Sequence, residues 1–153
     1  MGRILFKKAK AYAQGNIDAN VHGCDEWHIM PTSHVFDVGK EQKDLPKNDW
    51  LDEHGDDEFV PDEPIYKAFE DEIEFAFKGG DDFVEDISNF IHYLSHGGVF
   101  SMYDEHTKVG FENVRFVKYD PEADFIKEEQ EVIIKFKVTF KINSPQSNIV
   151  LNK

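Results

Sequence analysis

A single cysteine, Cys24, is the scarcest chemical resource of this chain. It excludes an intramolecular disulfide and leaves no cysteine pair for a zinc site. Long apolar runs are missing too, since nothing approaches the roughly 18 residues that suggest a membrane span. Ile4-Leu5-Phe6 is too short for the apolar stretch of a secretion signal, and Lys7-Lys8 follows it directly. Gly2 follows Met1, but Phe6 stands where N-myristoylation needs Ser or Thr. Catalytic motifs are equally sparse: there is no Gly-rich phosphate loop, no Gly-x-Ser-x-Gly and no His-Glu-x-x-His. The expectation is a soluble chain, made in the cytoplasm, that is not an enzyme and meets no membrane.

Positive charge is in short supply. Lys and Arg number 17 against 31 Asp and Glu, for a net charge of −14. Between Asp49 and Glu74 there are 12 acids and one basic residue, Lys67. Such a surface repels phosphate backbones and anionic membranes, so adhesive nucleic-acid binding through it is disfavoured. With 153 residues, 40% hydrophobic and 14 of them Phe, the chain has enough apolar material for one core. Residues 1–153 are therefore expected to form a single domain.

The pattern that is present changes period along the chain. Tyr66 to Lys78 reads as a strand, with Ile73, Phe75 and Phe77 on one face and Glu72, Glu74 and Ala76 on the other. Gly79-Gly80 turns into a helix whose apolar positions are Phe83, Val84, Ile87, Phe90, Ile91 and Leu94, one stripe of a 3.6-residue repeat. Asp82 is the expected N-cap, with Glu85 completing a capping-box pair, and Gly97-Gly98 is the expected stop. Strands follow at Val99–Asp104 and Val109–Tyr119, the second ended by Asp120-Pro121, and Glu122–Glu131 is expected to be a loop. The last run alternates cleanly: Val132, Ile134, Phe136, Val138, Phe140 and Ile142 against a face carrying Lys135, Lys137 and Lys141. Upstream, His34–Val38 reads as a strand, and residues 40–64 as a long acidic, Pro/Asp-rich loop with a short strand near Phe59. Residues 144–153 read as a tail bearing a small apolar patch, Ile149-Val150-Leu151. The fold class expected is α+β, an antiparallel β-sandwich or barrel-like sheet with one helix packed across it.

Few clusters offer chemistry. His22, Cys24 and His28, with Asp25 and Glu26 between them, supply donors suited to zinc, but at no standard zinc spacing. The bland reading is a turn in which Trp27 packs. Asp52, Glu53, Asp56 and Asp57 around Gly55 have hard oxygens, yet lack the calcium-loop spacing. Cys24 beside His22 or His28 is a poor nucleophile, because Asp25 and Glu26 oppose thiolate formation. Phe111, Phe116, Tyr119 and Phe125 suit a core better than a base-stacking platform, for Arg115 and Lys118 are the only nearby cations.

Ile73–Phe77, Phe83–Gly98, Val99–Asp104, Asn113–Phe116 and Val132–Pro145 are, in this order, similar to the N-terminal domain of siphophage distal tail proteins. More broadly the order resembles the tail-tube fold of tube and baseplate subunits. The resemblance covers about half of the chain and implies a virion protein that packs as a ring, usually hexameric. Other tail or baseplate proteins would be its neighbours, and DNA would pass without specific binding. Independently, an anionic channel would keep duplex DNA mobile by like-charge repulsion. Lys135, Lys137 and Lys141, with Asp52, Glu53, Asp56 and Asp57, are the expected assembly contacts, in a head-to-tail arrangement that closes by rotation. The alternatives are a small metal- or ligand-binding domain using His22–His28, and an acidic adaptor or DNA-mimic inhibitor. No cofactor is expected.

Overall fold

The computed structural model describes residues 3–9, 20–33, 47–48, 57–63, 65–128 and 131–153. In chain order its elements are β1 (Ile4–Lys8), β2 (His22–Gly23), a 3-10 turn (Cys24–Trp27), β3 (Ile29–Pro31), β4 (Lys47–Asn48) and β5 (Asp57–Glu58). Then come β6 (Phe69–Gly79), helix α1 (Phe83–Ser95), β7 (Phe100–Asp104), β8 (Val109–Glu128) and β9 (Glu131–Ile142). Seven strands form one antiparallel sheet in the order β2-β1-β7-β8-β9-β6-β3, and β4 pairs with β5 apart from it. The expected strand at His34–Val38 lies outside the described residues.

Connectivity forces this sheet to curl. β2 and β3 sit at its opposite margins yet are joined by one 3-10 turn. A flat sheet of this width would separate its margins by roughly 29 Å at the usual strand spacing. The stretch from Gly23 to Ile29 reaches only about 20 Å even when fully extended. The result is a half-barrel, broadly α+β, with one helix. Irregular pairing at Phe100/Met102, Phe116/Lys118 and Pro121/Phe125 adds the local twist that such curvature needs.

Helix α1 fills the concave side. Ile87, Phe90 and Leu94, one stripe of the helix, are buried. Phe90 meets Phe75 at 5.4 Å, Phe6 at 5.9 Å and Phe136 at 6.2 Å between ring centroids, all edge-on. Ile73, Phe75 and Phe77 of β6 and Phe136, Val138 and Phe140 of β9 complete the core. Asp82 holds the N-cap position, but its side chain makes no cap bond; its carbonyl accepts from the Asp86 N–H at 3.0 Å. The capping box is therefore absent, and Glu85 and Asp86 are first-turn charges near the dipole's positive end. Gly97 and Gly98, at φ 90° and 80°, take the left-handed turn that ends the helix.

One stretch is corrected. Asp120-Pro121 does not end β8, which runs through to Glu128, paired there with Glu131 of β9. The segment read as a loop, Glu122–Glu131, is thus mostly strand. Proline is tolerated because β7 pairs only with Val109–Val114, so Pro121 lies beyond β7's reach and beside an irregularity in the pairing with β9. The tail lies back across the convex face. Ser147 donates its N–H to the Ser144 carbonyl, Glu112 donates its N–H to Ser147 Oγ at 3.0 Å, and Ile149 donates its N–H to the Gly110 carbonyl at 3.3 Å. A Cβ at Gly110 would collide with the Ile149 carbonyl, so glycine is what lets the tail backbone approach.

Candidate functional site

The segment from His22 to His28 closes the half-barrel. Cys24 is fully buried; its Sγ accepts the Ile4 N–H at 3.4 Å, and burial pushes the thiol up to about 11. That is opposite to what a nucleophilic cysteine needs. Trp27 stacks obliquely on Phe90 and Tyr93, both at 5.4 Å, tying the turn to α1. His22 Nδ1 lies 2.9 Å from Glu26 Oε2, which also accepts the Gly23 N–H. His28 adopts φ 59° and turns away, its Nδ1 3.0 Å from Asp86 Oδ2 on α1 and its ring edge-on to Phe77.

The three proposed metal donors therefore point to three different places. Cys24 faces the core, His22 faces Glu26 and Tyr93, and His28 faces the helix. Among the described residues, no group of three or more His, Cys, Asp or Glu side chains is arranged to share a metal ion. Arg3 braces the outside of the turn, with Nη1 3.3 Å from Asp25 and Nε 3.0 Å from Glu105. Its hydrogen bond to Glu105 raises the guanidinium further above its ordinary range. Lys153, at the end of the tail, reaches Glu26 at 3.3 Å. What sequence reading takes as a donor cluster is a mechanical clasp.

The lysine face of β9 lies on the convex side between two other strands. Across the register, Lys141 stands between Glu70 and Arg115, and Lys137 between Glu74 and Asp120. Lys135 is opposite Ala76, and Lys137 Nζ lies 3.8 Å from Glu72. Acidic neighbours for Lys137 and Lys141 are therefore already present on β6 of the same chain. Cross-strand pairs of this kind contribute roughly 0.2–1 kcal/mol each. Asp52, Glu53 and Asp56 lie outside the described residues, and Asp57 belongs to β5. Phe111 and Phe116 pack with the core and Tyr119 lies tilted against Phe136 at 5.5 Å, so these three rings are structural. Burial raises the Tyr119 hydroxyl.

Two features escape sequence reading. Lys8 is buried, its Nζ donating to the His96 carbonyl at 2.6 Å and lying 4.6 Å from the Tyr93 ring and 5.0 Å from that of Phe100. An ammonium at a helix C-terminus between aromatic faces is a sound cap. Desolvation still drives its pKa down to about 8. The alternation Ile4, Phe6, Lys8 on one face was the available signal. The second is an open groove of about 450 Å³ between the tail and the sheet, lined by Lys7, Ala9, Val99, Ser101, Ile149 and Leu151. It opens where Ser101 alone faces the two-residue stretch Glu112-Asn113, with Asn113 at φ 59°. Such a bulge releases backbone groups from the ladder. Here Glu112 N–H goes to Ser147 and the Asn113 carbonyl accepts the Asn143 N–H.

No family model and no curated protein matches the chain. Among the described residues, no helix is long and apolar enough to cross a membrane.

Proposed function

We propose that the chain is a structural subunit of a phage or prophage tail, with a tail-tube-like fold, that assembles into a ring around the DNA channel. Its role is scaffolding in the virion rather than catalysis, and its neighbours are other tail or baseplate proteins. Ring order follows the resemblance and is hexameric. One observation carries this reading. The five segments that resemble distal tail proteins fall, in order, into β6, α1, β7, β8 and β9. Those strands are adjacent, as β7-β8-β9-β6, and α1 covers them. A resemblance scattered through unrelated parts of the fold would carry no weight, whereas this one coincides with a contiguous unit.

Charge adds independent support. The net −14 disfavours adhesion of DNA to a channel wall, and duplex must slide through a tail without sticking. The rival metal-binding reading draws no support from His22, Cys24 and His28, whose donors diverge. Gene order tests the proposal. Tape-measure or tail-tube genes beside the coding sequence are the expected result, and a neighbourhood of metabolic genes would overturn it.

A further inference from the structure

Resting on the ring reading, we propose that the segment Phe59–Glu63 of one copy docks in the groove beside the tail of the next copy. Phe59 and Val60 are each 69% exposed, an unusual placement for two adjacent large apolar side chains. They follow β5, which pairs with β4 and not with the seven-stranded sheet. Pro61 favours an extended chain after them, and the exposed Asp62 and Glu63 complete a short apolar-then-acidic strip.

The groove is complementary in kind. Ala9, Val99, Ile149 and Leu151 offer it an apolar wall, and its volume of about 450 Å³ falls within the range of roughly 300–1,000 Å³ typical of ligand sites. Its charges are separated. Lys7 lies on β1 and Glu112 on β8, with β7 between them, so roughly 10 Å of sheet divides cation from carboxylate. This polarity sets the direction of docking: Phe59 and Val60 on the apolar wall, Asp62 and Glu63 at the Lys7 end, away from Glu112. Segment and groove are different patches of one molecule, so each copy donates one and receives one. That is the heterologous contact from which rings are built.

A fluorescein-labelled peptide of residues 57–63 tests the contact on the full-length chain by anisotropy. Saturable binding is expected, weakened at least tenfold by Lys7→Glu and by Ser101→Trp, with a scrambled peptide inert. Lys7 and Ala9 are exposed, so substitutions there leave the core intact. In a second measurement Phe59→Cys and Ala9→Cys chains are mixed under mild oxidation, Cys24 staying inert in the core. A disulfide joining the two variants is expected. Peptide binding that survives Lys7→Glu and Ser101→Trp, or failure of the mixed disulfide to form, would overturn the proposal. Rings that form without peptide binding would overturn this contact while leaving the ring reading intact. Peptide binding by a chain that forms no ring would uphold the contact and remove the ring.

Discussion

On its concave side the sheet is sealed by α1, which sets Phe90 among Phe6, Phe75 and Phe136. On its convex side, among the described residues, the tail 144–153 lies over Gly110 beside Tyr103. The first seal is an aromatic cluster with Phe90 at its centre. Among the described residues the second rests on Gly110, the Ile149–Gly110 backbone bond, the hydroxyls of Ser144 and Ser147 and the Lys153–Glu26 pair. The remainder of the convex side is left to rows of opposite charge on β6 and β9. The described part of the convex face is thus finished by polar pairs, whereas the concave face is committed to the aromatic core.

The largest expected effect comes from breaking the strong seal. Phe90→Ala removes the ring at the centre of the aromatic cluster and should cost about 3–5 kcal/mol, read from the shift in urea unfolding midpoint. A loss below about 1 kcal/mol would mean that the helix is not what closes the core.

Lys8→Met probes the polar fault within that seal. The Lys8 pKa falls from 10.5 in the unfolded chain to about 8 in the fold, so the unfolded chain binds more protons between those values. Stability of the native chain should therefore rise as pH climbs from about 8 to 10.5. The variant should lose this rise and gain at most about 3 kcal/mol near neutrality, less whatever the Tyr93, Phe100 and His96 contacts return. Parallel stability–pH curves for the two chains would contradict this account.

Breaking the weaker seal should have a smaller and more local effect. Gly110→Ala forces the tail backbone away and brings the new Cβ within 2.8 Å of Tyr103. The expected cost is about 1–3 kcal/mol, with faster proteolysis inside 144–153 preceding global unfolding. His28→Ala should change stability by less than about 1 kcal/mol, because its pair with Asp86 is largely exposed and Trp27 holds the clasp by packing. A larger loss measured by the same urea titration would return the clasp to the polar bonds.

The same contrast governs what could be read before the fold was seen. The concave side is made by periodic elements, and Phe83–Ser95 and the alternation of β6 and β9 announce themselves through period alone. The convex side is made by exceptions. Pro121 looks like a terminator, because sequence cannot show that β8 has passed the end of β7 at that point. Ile149-Val150-Leu151 is too short to reveal a partner, and Gly110 looks like any strand glycine until the tail is found above it. At the clasp, residue types suggest ligands, yet burial of Cys24 and the opposite facing of His22 and His28 are tertiary facts.

Sedimentation velocity of the purified full-length chain from micromolar to millimolar concentration, with electron micrographs of the heaviest species, bears most directly on the claim that this protein is a ring-forming scaffold. The account requires one closed, annular assembly that grows in with concentration. A chain that stays monomeric throughout, or that forms open filaments or pairs, would contradict it.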